Sequence, residues 1–184
     1  MIPFPSGRYT TIVADPPWAY TDAVHGGRVK AAQAGLTVKG RRGAAGHYPT
    51  LTTDEIRVMP VMNLATADAH LYLWCTNAFV EEAHIVARAW GFRPNTLLTW
   101  VKPGMGMGFH WRNNTEHVLF AVRGQLRTLR RDQRTAFEAP RGRHSEKPEA
   151  FMALVEQMSP GPYLELFART TRPGWTAWGR DVAA

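Results

Sequence analysis

Asp15-Pro16-Pro17-Trp18 is the segment of this 184-residue chain whose residue types, at that spacing, point to a definite chemistry. Asp15 offers a carboxylate, and the adjoining Pro16 carbonyl is an acceptor whose direction two rigid rings fix. Two such acceptors bind the hydrogens of an aromatic amine, pull its nitrogen towards sp3 geometry and aim its lone pair at a methyl donor. The exocyclic N6 amine of adenine needs that help, because its lone pair is delocalised into the ring. Pro17 stiffens the loop, and Trp18 offers a flat face on which an extruded base can stack, worth about 1–3 kcal/mol. Holding the amine in line with the methyl group supplies the rest of the rate. The plain alternative is a strand-ending turn with Trp18 packed in the core. Average residue usage puts this tetrapeptide in roughly one chain of this size per few thousand, and its place directly after a strand favours the chemical reading.

The elements around it are those that would position such a loop. Residues 9–14 are a β-branched run of strand length, and two prolines without N–H groups end it. Further strands are predicted over 70–75, 96–101, 117–122, 163–168 and 175–178. Thr52 and Glu55 form a capping box opening a helix through Ile56 and Met59. Thr76 or Asn77 caps a second helix, with Phe79, Ala83, Val86, Ala87 and Trp90 at helical spacing and Gly91 closing it. A third begins at Lys147-Pro148, runs through Phe151, Leu154, Val155 and Met158, and stops at Ser159-Pro160-Gly161. The alternation implies an α/β fold, a mostly parallel sheet with helices on both faces. Ligands bind such sheets at the carboxyl ends of the strands, where the loops after Ala14, Cys75, Val101 and Ala168 meet.

Composition narrows the partners. With 45% hydrophobic residues the whole chain, 1–184, suits one domain. No run of 18 apolar residues predicts a membrane span, and the N-terminus lacks a signal-peptide layout. A lone cysteine, Cys75, excludes an intramolecular disulfide and fits a reducing, cytoplasmic setting. His47, His110, His117 and His144 have no metal-ligand helical spacing, so no metal is expected. The net charge of +7 favours nucleic acid. Residues 123–147 hold eight basic side chains (Arg123, Arg127, Arg130, Arg131, Arg134, Arg141, Arg143, Lys147) against three acids, and read either as phosphate contacts or as a solvated face. Residues 21–50, with six glycines and five basic residues, read as a long mobile loop over the site. Residues 103–115 form a glycine-rich substrate loop. Lys102, after a strand, reaches a base or a phosphate or is simply solvated. Asn77 reads as a helix cap ahead of a ligand.

Several blocks in order resemble the mRNA-adenosine N6-methyltransferase-like family of Asp-Pro-Pro-Trp enzymes. They are Tyr48-Pro-Thr-Leu51, Leu71-Tyr-Leu-Trp74, Trp100-Val-Lys102, Trp111-Arg-Asn-Asn-Thr-Glu-His117, His144-Ser-Glu-Lys-Pro148, Glu165-Leu-Phe-Ala-Arg169 and Gly174-Trp-Thr-Ala-Trp-Gly179. The resemblance implies a Rossmann-like class I S-adenosylmethionine-dependent methyltransferase in the permuted, β-class-like order, with the catalytic loop Asp15, Pro16, Pro17, Trp18 ahead of the cofactor strand. It implies S-adenosylmethionine as cofactor, held by Asp15, Pro16, Phe167, Arg169 and Gly179, with His144, Ser145 and Lys147 as a second wall. Where some relatives carry an amide pair, Arg180 and Asp181 follow the glycine. Asp181 is expected to accept ribose hydroxyls, and Arg180 to turn away or pair with a carboxylate, since a guanidinium facing a sulfonium is unfavourable. Arg112, Asn113 and Glu116 are implied substrate-loop anchors. Trp18, Tyr20, Asn77, Lys102, Arg130, Arg131 and Arg143 complete the expected substrate side. The implied reaction is methyl transfer to adenine N6 in nucleic acid, DNA ahead of RNA because the short lone domain is similar to small bacterial and phage members. The rival is an inactive nucleic-acid-binding partner of the same fold, against which the intact tetrapeptide argues. A homodimer or a heteromeric partner stays open.

Overall fold

The computed structural model describes residues 3–20, 50–106, 110–140, 142 and 146–182. The expectations for Arg141, Arg143, His144 and Ser145, and for the 21–50 loop except its last residue, lie outside the described residues. Along the chain come β1 (Tyr9–Ala14), α1 (Thr53–Arg57), β2 (Ala65–Cys75), α2 (Val80–Ala89), β3 (Arg93–Val101), β4 (Thr115–Arg123), β5 (Ala136–Glu138), α3 (Glu149–Met158), β6 (Tyr163–Leu166) and β7 (Trp175–Trp178). The strands form one sheet in the order β5-β3-β4-β2-β1-β6-β7. Only β4 runs against the rest, antiparallel to both β2 and β3. It does so because the connection from β3 carries no helix among the described residues, and a parallel return needs a crossover.

Both faces of the sheet are covered, so the central strands read as unbroken apolar runs. Ile12, Ala14, Leu71, Leu73, Leu119 and Ala121 pack with Ile56 of α1 and Ala83 and Val86 of α2. Their neighbours in sequence, Val13, Tyr72, Trp74, Val118 and Phe120, point the other way and pack with Phe151, Met152 and Val155 of α3. Each fully buried Leu or Phe contributes about 1.5–3 kcal/mol. With these two layers fixed, β1 lies between β2 and β6, and its carboxyl end opens where the chain connections diverge. This is the Rossmann-like α/β arrangement expected from the pattern.

Local chemistry explains the boundaries. The capping box forms as written: the Glu55 amide donates to Thr52 Oγ1 at 3.2 Å and the Thr52 amide to Glu55 Oε2 at 2.7 Å. Gly91 takes φ +80 and ends α2's last turn. Neither Thr76 nor Asn77 caps α2 with a side chain; a 3-10 turn at Asn77–Phe79 intervenes, and both side chains point to other partners described below. β2 starts five residues earlier than the apolar run, because Ala65 pairs with Tyr9 across a bulge. β3 also starts early, with a register shift after Pro94. β6 ends at Leu166 rather than continuing, because Phe167 adopts φ +64. No helix among the described residues is long and apolar enough to cross a membrane.

Candidate active site

The loop after β1 is held by backbone pairing on one side and by Trp18 on the other. The Pro17 carbonyl accepts the Leu51 amide at 2.8 Å, and the Ala19 amide donates to the Leu51 carbonyl at 2.9 Å. Trp18 is buried: its Nε1 donates to the Trp74 carbonyl at 3.0 Å, and its ring stacks on Phe79 at 5.3 Å and 17°. This corrects the sequence reading of Trp18 as a stacking platform, since a ring 6% exposed offers no face to a base. Its role is to anchor the tetrapeptide. The open aromatic is Tyr20, 44% exposed, edge-on to Phe79 and sharing a 2.9 Å hydrogen bond with Thr76 Oγ1. The Pro16 carbonyl accepts the Trp18 amide at 2.9 Å, which leaves its second lone pair for a ligand.

Asp15 heads a chain of alternating charge. Its Oδ2 lies 2.8 Å from Lys147 Nζ, which lies 3.5 Å from Glu116 Oε2, and Glu116 Oε1 is bonded to Lys102 Nζ. All four side chains are at most a quarter exposed, so the Coulomb attraction is little screened. The ammonium groups also sit over indole faces, Lys147 5.1 Å from the Trp74 ring and Lys102 4.6 Å from that of Trp100. Lys102 is therefore not a solvated lysine. Burial opposes the charge on Lys147, yet Asp15 and then Glu116 outweigh it and raise its pKa above the ordinary lysine range. Burial likewise pushes Glu116 up, but Lys147 and Lys102 hold it below the ordinary carboxylate range. Among the described residues only Lys147 forms an ion pair with Asp15, so Asp15 Oδ1 remains free of ion pairs. Beneath the site Cys75 is buried, and burial followed by Glu116 pushes its thiol up to about 12, so it is no nucleophile.

Beside Asp15, at the ends of β6 and β7, lies a second group of residues. The Ala168 amide donates to the Trp178 carbonyl at 2.9 Å, and a Cβ on Gly179 would stand 1.9 Å from the Ala168 carbonyl oxygen. Only glycine permits that approach. Phe167 packs edge-on to Trp178 at 5.6 Å, Arg169 is half-buried, and Arg180 and Asp181 are exposed. Glu165, which sequence reasoning did not single out, projects from β6 on the α3 side. Burial first, then Asp15 and Glu149, outweigh Arg172 and push its carboxyl up to about 7. Arg172 forks onto Glu149, and its Nε is buried without a partner among the described residues. The signal was present in the sequence as an acid between Leu164 and Leu166 in a strand covered on both faces.

The raised Glu165 has a stability consequence. The folded chain keeps this proton up to about pH 7, whereas an ordinary glutamate releases it near 4.5. The stability this contributes is complete below 4.5 and is lost as pH rises through 7. Glu165→Gln is therefore expected to gain stability over the parent by about 2 kcal/mol between about pH 5 and about pH 8, read from urea midpoints. An unchanged difference at the two pH values would show an ordinary carboxylate.

Other expected residues divide sharply. Asn77 pairs through Oδ1 with His117 Nε2 and lies 3.4 Å from Thr115 Oγ1, so it borders the site rather than capping a helix. Arg112 and Asn113 are exposed on the loop between β3 and β4, over the same edge. Trp111, which was not singled out as a site residue, is 85% exposed there. Arg130 is not at this edge, and the exposed Arg131 follows it in the chain. Arg130 bonds Asp132 at 2.6 Å and Gln157 Oε1 at 3.4 Å, on the last turn of α3, while Lys147 precedes its first turn. Ten helical residues separate the two ends by about 15 Å. The basic stretch starts at the amino edge of the sheet and returns through β5, so charge grouped in sequence is split in space.

A type II methyltransferase, M.MunI of Mycoplasma sp, is 31% identical over 97% of this chain and 79% of its own length. The N(6)-adenine-specific methyltransferase METTL4 of Mus musculus is 27% identical over 95% of this chain and 37% of its own. The N(6)-adenosine-methyltransferase catalytic subunit METTL3 of Homo sapiens is 26% identical over 96% and 28%. The last two are thus much longer than the segment they share. The family model described as MT-A70 matches residues 9–181, and with the Asp-Pro-Pro-Trp loop at the carboxyl end of β1, the chain belongs to the MT-A70 family.

Proposed function

We propose that this chain transfers a methyl group from S-adenosylmethionine to the N6 amine of adenine in nucleic acid. The observation that carries the reading is the Asp15 carboxylate, locked through Oδ2 by Lys147 and, among the described residues, with no ion pair on Oδ1, next in the chain to the Pro16 carbonyl. Those two acceptors take the amine hydrogens and turn the nitrogen lone pair outward. After transfer the nitrogen is cationic and must lose a proton, and Asp15 is the carboxylate held nearest to receive it. Tyr20, with its exposed ring, stacks on the base; Glu116 and Lys147 lie within its electrostatic reach.

The cofactor supplies, when bound, an electrophilic methyl group on a cationic sulfur. The residues present fit it. Glu165 is a carboxyl that burial pushes up to about 7 against the pull of Arg172, and among the described residues the buried Arg172 Nε is a donor without an acceptor. Together they complement the ammonium and carboxylate of an amino-acid tail. Phe167, Arg169 and Gly179 would line the same pocket, and Asp181 would take the ribose hydroxyls. DNA stands ahead of RNA because the relative that the chain spans over 79% is named as a type II methyltransferase. The base reaches the site already single-stranded or flipped. Incubation with the cofactor and adenine-containing DNA and RNA oligonucleotides, read by nucleoside mass spectrometry, is expected to yield N6-methyladenine, more from DNA. Methylated cytosine, or no product from either, would sink the reading.

A further inference from the structure

The segment between β4 and β5 has no regular structure, yet it is tied down along its length. Gly124 turns at φ +65, where a Cβ would meet Asp68 Oδ1 at 2.2 Å, and the Gln125 amide donates to that oxygen at 2.7 Å. The Leu126 carbonyl accepts from His70 Nε2 at 3.1 Å, which fixes the tautomer, so that Nδ1 accepts from Ser159 at 2.7 Å. The Leu129 amide donates to the Met158 carbonyl, and the Thr135 carbonyl accepts the Thr99 amide. None of these anchors is an arginine. The segment's one acid, Asp132, is taken by Arg130. Among the described residues, Arg127, Arg131 and Arg134 are exposed and have no carboxylate partner. An ordered loop of this length that presents exposed guanidinium groups with no carboxylate partner among the described residues is built to meet something.

Resting on the reading above, we infer that this loop is a second phosphate-binding surface, which grips the same nucleic-acid strand away from the target base. Guanidinium groups match phosphate oxygens bidentately, and contacts made to phosphate alone carry no base readout, so the grip is independent of sequence. The span from Lys147 to the part of this loop at Leu129 and Arg130, about 15 Å along α3, corresponds to roughly four or five nucleotides at about 3.4 Å each. The loop therefore acts only on substrates with flanks long enough to reach it.

The test compares adenine oligonucleotides with flanks of about three and about twelve nucleotides on each side. The parent protein is expected to bind the long one at least about tenfold more tightly, by fluorescence anisotropy and by KM. In Arg127→Ala/Arg131→Ala/Arg134→Ala that advantage is expected to vanish, and the salt slope of log K for the long strand to fall by about 2–3. A general loss of positive charge would weaken both lengths alike, and a purely structural role would move the thermal midpoint instead. Equal binding of both lengths by the parent, or a length advantage that survives in the triple variant, overturns the inference. Failure of the catalytic reading looks different: no methylated product at either length, with anisotropy still reporting on the loop.

Discussion

Asp15→Asn is expected to lower kcat/KM for adenine methylation about 10³-fold, while the thermal midpoint changes little. Asparagine fills the same space and its side-chain oxygen can still meet Lys147, so the loop keeps its anchors at Leu51 and Trp74. What it loses is the anionic acceptor. An amide directs two N–H groups where the carboxylate offered lone pairs, so one of the two contacts to the amine becomes donor against donor. The cationic nitrogen left after transfer also loses the base nearest to it. A thousandfold drop corresponds to about 4 kcal/mol of transition-state stabilisation, a size reached when an oriented charged contact inside a low-dielectric site is removed. Methylation within about threefold of the parent would remove Asp15 from the chemistry.

Lys147→Met is expected to abolish measurable transfer and to cost about 2–4 kcal/mol of stability near neutral pH. Methionine conserves the stem over the Trp74 ring but leaves Asp15 without its cation and Glu116 with Lys102 alone. The pH dependence separates this from a packing defect. Glu116 is held below the ordinary carboxylate range, so its contribution is present above the unfolded value near 4.5 and fades as pH falls through its lower folded value. Lys147 is raised, so its contribution is present below 10.5 and fades as pH rises beyond its folded value. The stability gap between parent and variant should therefore be widest across the neutral range and narrow in acid below 4.5. A gap of constant size from acid to neutral pH, in urea titrations, would show that only packing was lost.

What could be read from the sequence was what short-range chemistry decides. The capping box at Thr52, the stop at Gly91 and the prolines that end β1 depend on neighbours in the chain, and they came out as expected. The Asp15 loop was legible for the same reason. Trp18 was misread because its environment is set by Phe79 and Trp74, which only the folded sheet brings to it. The reversed β4 and the split of the basic stretch have the same origin, since strand direction depends on a connection's path rather than its composition. Lys147 entered the site only through resemblance; nothing in the spacing of Asp15, Glu116 and Lys147 announces a charge chain drawn from the start of β4 and two separate connections.

Because β4 turns back beside β3, the segment joining them leaves and re-enters the sheet on adjacent strands, about 4.8 Å apart, at the functional edge. Its two feet are fixed by the Val101–Thr115 pairing and by the Lys102 amide on the Asn114 carbonyl at 2.7 Å. A segment rooted in that way can be lengthened or exchanged without moving a strand, and each doubling of its length costs only about 0.6 kcal/mol in closure entropy. Under the proposed function, the sheet then serves as a constant frame and this segment as a replaceable reading head. Under that reading, a change of target sequence requires grafting this one segment, not redesigning a domain.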